Sequence, residues 1–256
     1  MKVLNKIVRV LVVDPWKQLE QEYGTEKRVE LKILFVFFII AFVLILRNYY
    51  GKFDNFRDFF PGFAKSSTTL PVAHCLYFTI SAFLMYTFIP LIFAKVFYKE
   101  FNPIFGMSVK SLWKFKWIYA GMLCVMVPLI FIASQMPDFQ RMYPMCKPAN
   151  IGGINLVVWE ISYAAQFFGV EFFFRGVLLF ILARVYGPSA IFMMMVPYVM
   201  IHFGKPPLET VSAALAGTIL GGIALYTKSI WGGFFLHTGV ALGMDFASLY
   251  QSGHFN

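Results

Sequence analysis

Long apolar stretches separated by short polar or basic breaks make up most of the chain after residue 30. Their lengths approach the roughly 20 residues that an α-helix needs to cross the hydrocarbon core of a bilayer. They are longer than typical strands or buried core helices. The pattern predicts an all-α fold, a polytopic membrane helix bundle, with membrane segments at about 31–46, 70–93, 117–134, 153–186, 189–203, 208–226 and 230–250.

The stretch 153–186 is too long for one untilted crossing, and it holds Glu160, Glu171, Arg175 and Arg184 among apolar residues. It is therefore either one long helix or two short pieces, and the bundle has seven or eight membrane helices. The chain divides by pattern into an N-terminal segment 1–30, a set of membrane helices in 31–150 and a C-terminal core in 151–256. We expect the segment 1–30 to be cytoplasmic or interfacial, either as a short amphipathic helix or as a solvated charge run.

The amino-acid composition excludes the water-soluble classes of protein. Hydrophobic residues are 59% of the 256 positions, charged residues are 14%, and the mean hydropathy is +0.68. The net charge of +9 comes mainly from basic residues at the ends of apolar stretches and near the N-terminus. This placement is typical of membrane orientation and does not indicate a nucleic-acid partner. The loop 95–116 has five lysines and one glutamate, so we expect it and the N-terminus to be cytoplasmic, in a bacterial inner or plasma membrane.

Three cysteines, Cys75, Cys124 and Cys146, have no CxxC spacing, and two of them lie in or near apolar stretches. A thiol in such a place behaves as a small hydrophobic group. The sequence therefore predicts neither a disulfide framework nor a zinc knuckle.

Ionisable residues at membrane depth are costly, and the C-terminal half holds several. Glu171 and Arg175 are four residues apart on one helix face, which permits an ion pair with either a structural or a functional role. His202 and His237 lie in separate apolar segments. A glutamate and two histidines can activate water, the carboxylate as general base, one imidazole orienting it and the other donating to an oxyanion. The same trio can bind a divalent metal such as zinc, so that alternative stays open.

These residues form a three-part pattern. It consists of Glu171 and Arg175, then Tyr198 and His202, then His237 in a final apolar segment. Over about 159–245 the chain resembles the CPBP family of intramembrane proteases, which includes the CAAX prenyl endopeptidases and relatives linked to bacteriocin immunity. The resemblance implies an intramembrane endopeptidase that acts on a membrane-associated peptide or protein, with catalytic Glu171, His202 and His237 supported by Arg175.

Two positions depart from the family pattern. The family's first motif is Glu-Glu-x-x-x-Arg, and Val170 stands where its water-activating glutamate belongs. The third motif is His-x-x-x-Asn or Asp, and Ala241 stands at its polar position. The chain is accordingly either a protease with a redrawn site, in which nearby carboxylates replace the missing family residues, or a catalytically inactive member that serves as a binding, immunity or scaffold factor.

A redrawn site has nearby carboxylates to use, namely Glu160, Glu209 and Asp245, as supporting residues. Asp245 shares a helix face with His237 but is about 12 Å further along, at 1.5 Å per residue, so it suits a supporting role. A transporter or proton pathway is a third interpretation, which the lack of an internal repeat disfavours. Convergence of Glu171 with His202 requires a kink, for instance at Pro197, or a split of the stretch 153–186.

Overall fold

The computed structural model describes residues 31–65, 72–97, 105–147 and 152–254, and it confirms the all-α bundle. In chain order the α-helices of these ranges are α1 (Leu31–Tyr50), α2 (Asn55–Phe59), α3 (Pro61–Lys65), α4 (Ala73–Phe97), α5 (Lys110–Lys114), α6 (Lys116–Ala133), α7 (Pro137–Met142), α8 (Gly153–Glu171), α9 (Leu179–Tyr186), α10 (Ala190–Met200), α11 (Pro207–Thr227) and α12 (Trp231–Gln251). The described residues form no strand, and their one isolated β-bridge joins Met107 to Ser229.

Five helical segments of the described chain are long and apolar enough to cross a membrane. They are Ile33–Tyr50, Ala73–Phe97, Lys116–Ala133, Gly153–Met200 and Pro207–Thr227. The 48-residue segment covers the predicted segment 153–186 and most of the predicted segment 189–203. The last predicted segment is present as the helix α12 but is not one of the five, because His237, Asp245 and several glycines make it less apolar.

Many large apolar side chains on the long helices face outward. Phe38 is 72% exposed, Ile92 62% and Trp117 78%. A soluble protein rarely presents so many large apolar groups to water, so these surfaces fit a lipid environment. The protein is therefore an integral membrane protein.

Met1–Phe35 and Val36–Asn256 form two compact units. The predicted N-terminal segment 1–30 lies outside the described residues, so its interfacial helix remains a prediction. The division into 31–150 and 151–256 likewise remains a prediction. All the candidate site residues belong to the second unit.

The stretch 153–186 is one continuous helical run with a π-helical segment, Phe172–Leu178, between α8 and α9. A π segment inserts extra backbone into an α-helix and changes the direction of the side chains that follow, and such segments are frequent at functional sites. All seven of its residues are buried. The helix α10 is only 11 residues long and contains Pro197, so the chain turns back through the loop 201–206 before α11 begins.

The helix α8 packs closely against α4. A Cβ atom at Gly169 would lie 3.1 Å from Thr87 Oγ1 and 3.2 Å from the Phe83 carbonyl oxygen, both on α4. Small residues of this kind let membrane helices approach closely, where packing replaces the hydrophobic effect as the source of stability. Just before α12 begins, the backbone N–H of Ile230 donates to the Gly106 carbonyl, 2.9 Å away.

The expectation that the cysteines form no disulfide was wrong. Cys75, at the start of α4, is bonded to Cys146, with 5.8 Å between their Cα atoms and 71 residues between them in the sequence. Both cysteines are fully buried in a cluster with Trp159 and Tyr163. The spacing rules that identify small disulfide scaffolds do not apply to a pair that only the tertiary fold brings together. Cys124 is a free thiol.

Candidate functional site

Glu171 ends α8, and Arg175 lies in the π segment that follows it. Their side chains form an ion pair, and both side chains are 0% exposed. The Arg175 guanidinium also lies over an aromatic face, 4.4 Å from the ring centroid of Tyr198. The predicted helix-face pair is thus present, and both side chains are excluded from solvent.

His237 joins this pair from α12. Its Nδ1 lies 2.9 Å from Glu171 Oε1, and its ring packs 4.4 Å from the ring of Phe167 between centroids. An ionised carboxylate only accepts hydrogen bonds, so Nδ1 carries the proton and donates it. In the neutral ring this leaves the lone pair of Nε2 available for a second partner.

His202 lies in the loop 201–206 and is oriented by a backbone group. Its Nδ1 lies 2.8 Å from the Tyr198 carbonyl oxygen, which can only accept, so this ring also has its proton on Nδ1 when neutral. Burial, together with the nearby charge of Lys205, lowers the pKa of His202 to about 3. The ring is therefore neutral near pH 7, and its Nε2 is an acceptor.

Both histidines line one cavity of about 750 Å³. Val170 lines it as well, whereas Glu171 does not. Glu171 instead faces α12, where a Cβ atom at Gly233 would lie 2.6 Å from its Oε2. The carboxylate thus reaches the cavity through the ring of His237, and the position at which the family has its water-activating glutamate is an apolar part of the cavity wall.

The candidate carboxylates Asp245 and Glu209 have hydrogen-bond partners other than the Glu171 site. Asp245 accepts from Trp159 Nε1 at 2.7 Å and from the Met145 backbone at 3.1 Å. Glu209 accepts from Lys205 Nζ at 2.6 Å and from the Tyr143 hydroxyl at 2.7 Å.

The carboxylate oxygens of Glu160 are buried and have no hydrogen-bond partner. Ala241 is buried in the apolar cluster that contains Trp159 and Phe167. Neither residue lines the cavity of the two histidines. No direct contact with Glu171 in the described part of the chain therefore supports the predicted supporting roles of Glu160, Glu209 and Asp245.

The metal alternative has no matching set of ligands in the described part of the chain. No three His, Cys, Asp or Glu side chains there are grouped closely enough to hold a metal ion. Glu171 and His237 are in contact, but Glu171 is already paired with Arg175, and His202 directs its Nδ1 to the Tyr198 carbonyl of α10.

Sequence reasoning missed several residues around the site. Lys205 lines the cavity and contacts both Glu209 and the Tyr143 hydroxyl. Gly233 provides the space that Glu171 occupies. Arg47 lines the same cavity, although at the end of an apolar stretch it has the pattern of an interfacial basic residue. The i, i+4 spacing of Lys205 and Glu209 was a usable signal, whereas the role of Gly233 depends on tertiary contact.

Comparison with known proteins gives one family. Residues 153–243 match the family model described as Rce1-like, type II CAAX prenyl endopeptidase Rce1-like. No curated protein and no solved structure matches the chain. The matched region begins with α8 and ends inside α12, so it includes Glu171, Arg175, His202 and His237 and excludes Arg47. The resemblance drawn from the sequence is confirmed for this region.

The close approach of Gly233 to Glu171 predicts opposite effects for two substitutions on α12. Gly233→Ala places a methyl group against the Glu171 carboxylate, and we expect a loss of about 1–3 kcal/mol from overpacking. Gly243→Ala is the matched control, since its Cβ would meet Ile130 Cδ1 at an ordinary 3.5 Å. The control should be neutral or more stable by up to about 1 kcal/mol, because alanine favours helix.

Thermal unfolding of the purified full-length chain in detergent measures both effects. The expected result is a lower midpoint for Gly233→Ala alone. Equal midpoints for the two variants would contradict the tight contact between α12 and Glu171.

Proposed function

Starting from a membrane-embedded core that is CAAX-protease-like, we propose that this protein is an intramembrane endopeptidase with a redrawn water-activating group. The group is the pair of Glu171 and His237, and the observation that carries the proposal is their 2.9 Å contact beside the cavity. In this scheme His237 contacts the reacting water, and Glu171 is a positioning residue that acts through His237. The substrate is a membrane-associated peptide or protein.

The chemistry follows from the free Nε2 of His237. Nε2 accepts a proton from water as the water oxygen bonds to the carbonyl carbon of the peptide. Glu171 stabilises the resulting imidazolium, as a buried carboxylate does for a catalytic histidine in other hydrolases. The proton then passes to the amide nitrogen, the C–N bond breaks, and a new carboxylate and a new amine result. Glu171, which the sequence suggested as the base, therefore assists the base.

His202 and Lys205 complete this proposed site. The sequence suggested an imidazole donor for the oxyanion, but the neutral His202, which lines the cavity, has an acceptor Nε2 and so suits the orientation of the water. The ammonium of Lys205, which also lines the cavity, is the cation available to the developing oxyanion.

A noncatalytic binding role is the second candidate. The observation that favours it is Val170, which lines the cavity where the family has its water-activating glutamate. With an apolar side chain at that position, the same cavity can hold a peptide without cleaving it. One experiment separates the two candidates, because a peptidase releases a cleaved product from the bound peptide and a noncatalytic binding protein releases none.

We propose that the protein lies in a bacterial inner or plasma membrane with the cavity open to the outer side. The Cys75–Cys146 disulfide needs an oxidising compartment, and Met145, next to Cys146, lines the cavity. The basic loop before α6 would then be cytoplasmic, in agreement with the distribution of lysines.

Replacement of His237 should abolish cleavage of the reporters, whereas replacement of His74 should leave the cleavage rate unchanged. The reporters are a farnesylated peptide with a free C-terminus and an unmodified single-span peptide, each mixed with the purified protein in proteoliposomes. We expect His237→Ala and Glu171→Gln to reduce the rate at least about 100-fold, in the range of general acid–base catalysis. His74→Ala is the control, since His74 packs beside Cys75 and Phe53 and does not line the cavity.

Mass spectrometry of the products and binding of the same reporters give the readout. A product from the wild type and from His74→Ala alone supports the peptidase. Binding with no product from any variant would establish the noncatalytic role, and wild-type rates in His237→Ala would contradict the proposed chemistry.

The orientation predicts opposite labelling of two engineered cysteines. Asp58→Cys, in the exposed helix α2, should react with a membrane-impermeant maleimide on intact cells, and Lys110→Cys, at the start of α5, should react only after permeabilisation. Both are made with Cys124→Ser, and the native disulfide leaves no other described thiol. The reverse labelling pattern would overturn the orientation.

A further inference from the structure

We infer that the cavity contains an anion-binding subsite around Arg47, which holds the free α-carboxylate of a peptide chain end. The identity of the occupant as a peptide rests on the proposed function. The subsite itself rests on residues of α1 and α4, which lie outside the region that matches the family model.

Arg47 is a half-buried cation that has no anionic partner among the described residues. It lines the cavity, its Nη1 is buried and has no hydrogen-bond partner, and no carboxylate among the described residues lies within ion-pair distance of it. Its guanidinium lies 4.0 Å from the ring centroid of Phe78, and its polar neighbours include the phenols of Tyr77 and Tyr86. A guanidinium that lines a cavity and keeps an unpaired N–H group is suited to bind a carboxylate or phosphate.

The other charges on the cavity wall leave Arg47 as the available group. Two of the three N–H groups of Lys205 already donate, to Glu209 and to the Tyr143 hydroxyl, and the proposed function assigns the third to the oxyanion. Lys52 and Asp54 also line the cavity, but both are exposed to solvent, and their opposite charges offset each other. The planar guanidinium binds a carboxylate through two parallel hydrogen bonds, which an exposed lysine does not reproduce.

The position of Arg47 suits a chain end that reaches the proposed reacting group. Arg47, Tyr86, Val170 and His237 line the same cavity, and Tyr86 Cβ would lie 3.2 Å from a Cβ at Gly169, next to Val170. Tyr86 thus interacts with the arginine and packs against α8 at Gly169. A cavity of about 750 Å³ is the size that holds a drug-sized molecule, so the bound end is a few residues long.

The wild-type chain should prefer a peptide acid to the matching amide. The probe is a fluorescein-labelled apolar hexapeptide, made with a free C-terminal carboxylate and as the C-terminal amide, and its affinity for the full-length protein in neutral detergent is measured by anisotropy. We expect the acid to bind at least about tenfold more tightly, as a charge-assisted hydrogen bond provides.

Variants separate this subsite from the proposed chemistry. Arg47→Gln should bind acid and amide equally, and Arg47→Lys should retain part of the preference. His237→Ala should keep the full preference although it cleaves nothing. If the wild type binds acid and amide equally, the subsite is refuted even when cleavage is observed, and the comparison needs no variant to fold.

Lipid is the competing source of an anion. Phosphatidylglycerol added to the detergent should not displace the peptide acid more than phosphatidylcholine does. Displacement by phosphatidylglycerol alone, with no acid preference, would replace the carboxylate subsite by a lipid phosphate site.

Discussion

The buried ion pair between Glu171 and Arg175 is the constraint around which the central helices are arranged. An unpaired charged side chain at the centre of a membrane helix costs about 2.5–3.5 kcal/mol on insertion scales. Removing one member of a buried pair typically costs about 3–5 kcal/mol, because the other charge is left without a partner. Glu171 and Arg175 therefore have to remain together, and both are fully enclosed.

Several neighbouring features make that enclosure possible. The π segment carries Arg175 one turn beyond Glu171, Tyr198 supplies an aromatic face for the guanidinium, and Gly233 leaves space for the carboxylate. His237 contacts Glu171 and also lines the cavity. In the proposed function this arrangement turns a structural ion pair into the group that positions a catalytic imidazole, which accounts for the tolerance of valine at 170.

The sequence was sufficient for the helices and for the pair itself, because both depend on local periodicity. The lengths of the apolar stretches and the four-residue spacing of Glu171 and Arg175 contain that information. The Cys75–Cys146 bond, the role of Gly233 and the environment of Arg47 depend on contacts between distant parts of the chain, which no local pattern reports. Asp245 illustrates the limit: its helix face was predictable from His237, but its partners Trp159 and Met145 were not.

The central claim concerns which nitrogen of His237 carries the proton. Nitrogen-15 NMR of the full-length protein with labelled histidine, compared with His237→Asn to assign the signal, measures this at neutral pH. The account predicts a protonated Nδ1 that donates to Glu171 and an unprotonated Nε2. A ring protonated at Nε2 with a bare Nδ1 would contradict it, because the base of the proposed reaction would then be absent.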